Sequence, residues 1–179
     1  MKSGKSEAVI YRISRLMIVS ESAMLIVKPD TDTRDPHLRS RAYNVQYICQ
    51  FAAHDDPSVI LDMIRPHHQV LIIDEAQFFS PMLVAVVRQT LESGMHVLVS
   101  GLDLDFRGEP FGPIPDLLAL ADEVHKLTAV CDVCKEVATR TQRLINGSPA
   151  PYDSPLVLVG DAEAYQARCL SHHDVPGRS

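Results

Sequence analysis

Short apolar runs alternate with amphipathic segments along the first part of the chain. Residues 23–27, 69–73 and 96–99 are apolar runs with the length and continuity of strands buried on both faces. Apolar residues recur at helical spacing in residues 9–17 and again in residues 80–94. This alternation predicts an α/β fold, in which a parallel sheet carries helices on both faces.

The remaining segments divide the chain further. Residues 30–47 are polar and lack a period, which predicts an irregular loop, whereas residues 59–64 and 116–121 favour short helices. Near residue 124 the pattern changes to short strands, cysteines and turns rich in glycine and proline. We therefore predict a sheet domain at residues 1–123 and a small C-terminal domain at residues 124–179.

The composition is that of an ordinary globular protein, since the 179 residues are 46% hydrophobic and 22% charged. The formal net charge of −6 argues against a general nucleic-acid binder, because neutralising phosphates requires clustered lysine and arginine. No apolar run approaches the length of about 20 residues that a membrane span needs, and the first residues lack the pattern of a secretory signal. We expect a cytoplasmic protein that binds neither nucleic acid nor membranes.

The beginning of the chain carries part of a phosphate-binding motif. Gly4, Lys5 and Ser6 match the last three positions of the Walker A sequence, and a helical pattern follows them as such a loop requires. In that motif, backbone N–H groups, a lysine and a hydroxyl hold nucleotide phosphates and magnesium. The first glycine and the preceding strand would fall ahead of Met1, so we expect an N-terminally truncated P-loop sheet. The alternative is a polar segment that simply caps a helix.

Two acidic residues follow the second apolar run, where ligands bind in open α/β sheets. Asp74 could hold magnesium, while Glu75 could accept a proton from an attacking hydroxyl. The alternative is a pair of acids that mark the strand end and face solvent. Gln77 and the pair Phe78-Phe79 could bind a flat ring, although paired aromatic residues are more often part of a core.

The C-terminal domain contains two half-sites for a metal. Cys131 and Cys134 have the spacing of a tetrahedral zinc pair, and Cys169 and His172 form a second half-site. His173 competes with His172, and the first pair alone could be a redox motif. Four ligands would close the site, which predicts a structural zinc ion. The predicted fold is therefore a P-loop parallel sheet with flanking helices, lacking its first strand, and a small zinc-ribbon-like domain.

Several longer motifs occur in a fixed order along the chain. They are DEAQFF at residues 74–79, GLDLDFRGEPFGP at 101–113, KLTAVC-x-x-C at 126–134, TRTQRL at 139–144, PAPYD at 149–153 and Y-x-A-R-C at 165–169. In this order and spacing they closely resemble the type II thymidine kinases. The resemblance runs from residue 1 to about residue 172 and is weakest between residues 35 and 68.

The resemblance implies an enzyme that transfers the γ-phosphate of ATP, with Mg²⁺, to the 5′-hydroxyl of thymidine, a step of nucleotide salvage for DNA synthesis. It implies that Glu75 is the catalytic base, that Asp74 lies beside the magnesium ion and that Lys5 binds phosphate. Arg34 would steady anionic oxygens, because its planar guanidinium pairs bidentately with phosphate. The nucleotide-binding residues implied in this way are Ser3, Gly4, Lys5, Ser6, Asp32, Thr33, Arg34, Asp74, Glu75, Ala76 and Gln77.

The resemblance also implies a nucleoside site that a lasso-like segment would close with backbone hydrogen bonds, so that residues 124–179 would bind both zinc and nucleoside. Phe106 and Phe111 could equally anchor their loop on the core. Members of the family usually form homotetramers, which adds further copies of the chain to thymidine and ATP as partners. The substrate-binding residues implied are Gln77, Phe79, Phe106, Phe111, Thr141, Leu156, Val157, Leu158, Val159, Gly160 and Tyr165.

Two other functions fit parts of the pattern. A catalytically inactive, zinc-stabilised remnant would bind nucleotide without transferring phosphate, because its phosphate loop begins midway. A zinc-containing nucleic-acid ATPase would also combine a Walker loop with a zinc ribbon, although the negative net charge and the lack of a basic stripe argue against it. ATP-dependent phosphorylation of thymidine distinguishes the kinase from both alternatives.

Overall fold

The structure is a computed structural model that describes residues 3–16, 23–31, 37–40, 44–156 and 163–178. These residues form two compact units. The larger unit comprises Lys5–Asp103 and Gly112–Glu123, and the smaller unit comprises Leu104–Phe111 and Val124–Ser179 with residues 3 and 4. The domain division predicted after residue 123 stays a prediction.

The larger unit is built on a parallel sheet. Among the described residues the strands follow the order β4 (Gln50–Ala52), β1 (Met24–Pro29), β5 (Val70–Ile73) and β6 (His96–Val99), and every neighbouring pair is parallel. Three of these strands coincide with the three predicted apolar runs, so the parallel α/β sheet is confirmed. Its elements are α1 (Lys5–Leu16), β1 (Met24–Pro29), β2 (His37–Ser40), β3 (Val45–Ile48), β4 (Gln50–Ala52), α2 (Val59–Met63), β5 (Val70–Ile73), α3 (Leu83–Glu92), β6 (His96–Val99) and α4 (Ile114–Leu120).

Successive strand residues face opposite sides of the sheet and contact different helices. Ile26 and Ile72 lie in one hydrophobic cluster with Val9, Ile10 and Ile13 of α1. Their strand neighbours lie in a second cluster with α2, α3 and α4 on the other face, which confirms the prediction of helices on both faces. These neighbours are Leu25, Val27, Leu71 and Ile73.

An antiparallel hairpin of β2 and β3 occupies part of the segment for which the sequence predicted an irregular loop. Leu38 pairs with Tyr47 across the hairpin, and both side chains join the cluster that contains α1. The prediction of a loop was wrong here because each strand spans four residues and, among its described side chains, buries a single apolar one. Such short strands show no alternation that a periodicity argument can detect.

The smaller unit contains short strands, as the sequence predicted, and the structure shows that they pair in an antiparallel way. Strand β9 (Arg140–Ile145) pairs with β10 (Ser148–Pro149) on one side and with β11 (Glu163–Arg168) on the other, while β7 (Ala129–Val130) and β8 (Val137–Ala138) form a separate hairpin. Among the residues that the structure describes, no helix combines the length and the apolar character needed to cross a membrane. The strands are β7 (Ala129–Val130), β8 (Val137–Ala138), β9 (Arg140–Ile145), β10 (Ser148–Pro149) and β11 (Glu163–Arg168).

Candidate active site

The two acidic residues lie directly after β5, at the carboxyl end of the parallel sheet. The backbone N–H of Asp74 donates to the carbonyl of Val27 in β1 at 2.9 Å, and that of Ala76 donates to the carbonyl of Ser100 after β6 at 3.0 Å. The strands on either side of β5 therefore fix the backbone that carries both carboxylates. The side chain of Asp74 is 3% exposed, whereas that of Glu75 is 24% exposed and within reach of a ligand.

Glu75 has an uncommon backbone conformation. Its φ of 53° and ψ of 38° lie in the left-handed region, which residues other than glycine rarely occupy. This turn leads from β5 into a 3₁₀ helix at Ala76–Phe78. Strained backbone of this kind costs about 1–3 kcal/mol and is concentrated at active sites and ligand clamps. The strain therefore favours a functional role for Glu75.

Lys5, the first residue of α1, joins the two carboxylates. Its Nζ lies 2.7 Å from Oδ1 of Asp74 and 2.6 Å from Oε1 of Glu75. Burial alone would lower the pKa of Lys5, but the adjacent charges of Glu75 and Asp74 outweigh burial and raise that pKa above its usual 10.5. The lysine is thus a firmly held cation at the start of a helix, which is where the sequence predicted a phosphate-binding residue.

A second lysine contributes to the same cluster and was missed by the sequence analysis. Lys28 is 6% exposed, and its Nζ lies 3.9 Å from Oδ2 of Asp74 and 3.2 Å from the carbonyl of His37. Burial would raise the pKa of Asp74, but Lys5 and then Lys28 hold it below its usual 3.8. The signal was available, because a lysine at the end of an otherwise apolar strand needs an anionic partner.

Gln77 is oriented by hydrogen bonds at both ends of its amide. Its Nε2 donates to Oε2 of Glu75 at 2.6 Å, and its Oε1 accepts from the backbone N–H of Leu102 at 3.0 Å. Gln77 is 2% exposed, and Phe79 packs in the hydrophobic core beside Leu83. The nucleoside contacts predicted for Gln77 and Phe79 stay predictions.

The other predicted nucleotide residues fall into two groups. Ser6 lies in the first turn of α1, next to Lys5, and Ala76 is buried beside the acid pair. Ser3 and Gly4 immediately precede α1. Asp32, Thr33 and Arg34 lie outside the described residues.

The predicted substrate residues of the smaller unit are found on its strands and loops. Phe106 is 4% exposed, and the guanidinium carbons of Arg107 and Arg143 lie 5.3 and 5.1 Å from the centroid of its ring. Thr141 and Tyr165 lie on the adjacent strands β9 and β11. Phe111 is buried and Leu156 is exposed. The remaining predicted lasso residues, Val157, Leu158, Val159 and Gly160, lie outside the described residues.

The four predicted metal ligands come together in the smaller unit. Their ligand atoms all lie within 4.8 Å of one another, with 3.7 Å between Sγ of Cys134 and Sγ of Cys169 and 3.1 Å between Sγ of Cys169 and Nδ1 of His172. Nε2 of His173 instead lies 2.8 Å from the carbonyl of Phe106. The remaining member of the cluster is Cys131.

Local backbone structure brings these cysteine and histidine side chains together. The N–H of Cys131 donates to the carbonyl of Glu136 at 2.8 Å, and Lys135 takes a left-handed φ of 67°, so the chain turns sharply between β7 and β8. Burial would raise the pKa of the Cys131 thiol, but hydrogen bonds from the backbone of Cys134, Cys169 and Val133 lower it to about 6. Thiolates and an imidazole at this spacing are a donor set that suits zinc.

Comparison with known proteins identifies closely similar sequences. A family model described as thymidine kinase matches residues 1–173. The chain is 49% identical over 179 residues to a thymidine kinase of Coprothermobacter proteolyticus, covering 100% of this chain and 89% of that protein. It is 47% identical over 174 residues to a thymidine kinase of Mycoplasma genitalium, covering 97% of this chain and 79% of that protein.

Proposed function

The chain belongs to the thymidine kinase family, and we propose that it transfers the γ-phosphate of ATP to the 5′-hydroxyl of thymidine at the cluster of Lys5, Asp74 and Glu75. One observation carries the assignment of the site. A strained glutamate and a buried aspartate share a lysine at the carboxyl end of a parallel sheet. Phosphoryl transfer depends mainly on positioning and charge stabilisation, which such a cluster supplies.

Each residue of the cluster has a separate role in this proposal. Glu75 accepts the proton of the 5′-hydroxyl, because it is the more exposed carboxylate and the backbone fixes its position. Asp74 with Ser6 would hold Mg²⁺, and a buried, ionised carboxylate fits that hard cation. Magnesium when bound supplies charge neutralisation for the phosphates. When nucleotide binds, the ammonium group of Lys5 leaves the carboxylates of Asp74 and Glu75 and contacts phosphate oxygens instead.

The other site residues are proposed from the resemblance to thymidine kinases. Arg34, with Asp32 and Thr33, would contact anionic oxygens, and Ser3, Gly4, Ala76 and Gln77 would border the nucleotide. We also propose a homotetramer, as the resemblance implies. Thymidine contacts are proposed for Phe79, Phe106, Phe111, Thr141, Leu156, Val157, Leu158, Val159, Gly160 and Tyr165.

The four predicted metal ligands have a structural role in this proposal. Cys131, Cys134, Cys169 and His172 would bind one Zn²⁺, and four protein ligands leave no position for a substrate water. The ion would connect the turn between β7 and β8 to the segment that follows β11. Zinc binding therefore stabilises the smaller unit rather than taking part in phosphoryl transfer.

The proposed function is tested by replacing Glu75 with glutamine. We expect Glu75→Gln to lower kcat for thymidine phosphorylation by about 10²–10⁴-fold, because the variant lacks the base while its shape is kept. Formation of thymidine monophosphate from ATP and thymidine is measured by chromatography. Glu92→Gln, at an exposed position of α3, is the matched control and is expected to keep the parental kcat. Unchanged turnover in Glu75→Gln would remove Glu75 from the mechanism.

The same assay addresses the two alternative functions. A remnant would bind ATP without forming thymidine monophosphate, and a nucleic-acid ATPase would hydrolyse ATP faster when DNA is added. The match to thymidine kinases over residues 1–173 favours neither alternative. We expect thymidine phosphorylation by the unmodified chain and no stimulation of ATP hydrolysis by DNA.

A further inference from the structure

The side chain of Gln77 connects the proposed catalytic base to the end of a neighbouring strand. One end of its amide contacts Oε2 of Glu75 and the other contacts the backbone after β6, at Leu102. Gln77 is 2% exposed, so little bulk water can compete for its side-chain amide. Gln77 itself precedes Leu102 by 25 residues, so its amide links two segments of the larger unit that are distant along the chain.

The chemistry of these partners determines which way the amide points. The backbone N–H of Leu102 can only donate, so it requires the carbonyl oxygen of the Gln77 side chain. The amide nitrogen must then face Glu75, whose ionised carboxylate can only accept. A flipped amide would place two acceptors together and two donors together. The orientation follows from the partners themselves and fixes Gln77 as a donor to the base.

In the proposed reaction, the contact between Glu75 and Gln77 would remain when nucleotide binds. In the structure Oε1 of Glu75 is held by Lys5 and Oε2 is held by Gln77. The proposed function requires Lys5 to move its charge to phosphate, which releases Oε1. Gln77 then remains to hold the carboxylate, because its own anchor at Leu102 is backbone and does not depend on the nucleotide.

We propose that Gln77 is a positioning residue that holds the carboxylate of Glu75 in its reactive orientation, and that it does not read the thymine base. This inference rests on the proposed function of Glu75. It differs from the expectation that Gln77 binds the nucleoside, because both ends of its amide have partners within the larger unit and only 2% of the residue is exposed to a ligand. Its effect on the reaction passes through Glu75.

The inference predicts a loss in kcat with little change in KM. We expect Gln77→Met to lower kcat by about 10²-fold, the effect of misplacing a reacting group by about 1 Å, with KM for thymidine nearly unchanged. Gln77→Glu keeps the acceptor for Leu102 but replaces the donor with a second carboxylate, so we expect a similar loss in kcat. Thr90→Val removes a different buried hydrogen bond, from Oγ1 to the carbonyl of Val86, and is expected to keep kcat.

Two outcomes would overturn the proposal. A large rise in KM for thymidine with an unchanged kcat would show that Gln77 contacts the nucleoside. Parental kcat in Gln77→Glu would show that donation to Glu75 is unimportant.

A further measurement does not depend on activity. The melting temperatures of Gln77→Met, Glu75→Ala and the double variant form a double-mutant cycle, and we expect the two shifts to be non-additive because the side chains are in contact. Additive shifts would contradict the inference even in an active enzyme. An unmodified chain that makes no thymidine monophosphate, yet gives a non-additive cycle, would refute the proposed function while supporting the contact.

Discussion

At the scale of single residues, Asp74 gives the clearest dependence on pH. Its folded-state pKa is lowered by Lys5 and Lys28, so the stabilisation is present above the unfolded value of 3.8 and is lost as pH falls through the lower folded value. We expect Asp74→Asn to flatten the fall in the free energy of unfolding as the pH drops from about 5 through the lowered pKa of this group. Urea unfolding over this range measures the effect.

A matched variant separates this contact from general effects of charge. Asp62 lies at an exposed position of α2, and Asp62→Asn removes the same charge from the surface. We expect the free energy of unfolding of Asp62→Asn to depend on pH in the same way as that of the parent protein. An equal flattening in both variants would contradict the assignment of the acid dependence to the lysine-linked Asp74.

The residue scale is also where prediction from the sequence was least complete. Asp74 and Glu75 could be placed at a strand end, because apolar β5 ends directly before them. The left-handed backbone of Glu75 could not be predicted, since it depends on hydrogen bonds from Asp74 to Val27 and from Ala76 to Ser100, which join separate strands. Tertiary contacts of this kind leave no pattern in local sequence.

At the scale of elements, the turn before α4 is closely packed against the proposed site. Gly112 has a φ of 53°, and a Cβ there would collide with the backbone carbonyl of Gln77. We expect Gly112→Ala to lower the free energy of unfolding by about 2–5 kcal/mol, from left-handed strain together with overpacking. Denaturant unfolding measures this loss, and kcat should fall as well because Gln77 is displaced.

The end of α3 supplies the control for this element. Gly94 also has a positive φ, 87°, but a Cβ at that position would meet nothing within 4 Å. Gly94→Ala should therefore lower the free energy of unfolding by about 1–2 kcal/mol, from backbone strain alone, and leave kcat unchanged. Equal destabilisation by the two substitutions would contradict the close packing between Gly112 and Gln77.

Elements with several consecutive buried apolar residues could be predicted from the sequence, and elements with few could not. β5 has four consecutive buried residues and was predicted from the sequence. β4 has three residues, of which one is buried, and no strand was predicted there. Its position becomes clear only from its pairing with β1, where Val27 lies opposite Gln50. Short edge strands depend on such partners rather than on their own periodicity.

At the scale of the whole molecule, we expect one zinc ion per chain, held as proposed by the cluster in the smaller unit. His172→Ala should lower zinc affinity, because it removes an imidazole ligand, whereas His173→Ala should leave it unchanged. Titration with a chromogenic zinc chelator measures both affinities. Equal zinc affinity in the two variants would contradict the proposed ligand set.

Removal of the proposed zinc ion should affect the two units differently. The cluster lies among β7, β8 and β11, whereas the parallel sheet has its own hydrophobic clusters on both faces. We expect chelation to increase amide hydrogen exchange in β7, β8 and β11 while β1 and β5 stay protected. Equal loss of protection in all of these strands would contradict a local structural role for the metal.

The order along the chain of the sheet strands and the proposed zinc ligands has a consequence for biosynthesis. The described strands of the parallel sheet lie between Met24 and Val99, whereas the cluster of proposed zinc ligands requires residues up to His172. Because a nascent polypeptide leaves the ribosome from its N-terminus, the sheet can assemble cotranslationally before Cys169 is made. Binding of the proposed zinc ion would then be a late step of maturation, and until that step Cys131 and Cys134 would be a thiol pair open to oxidation.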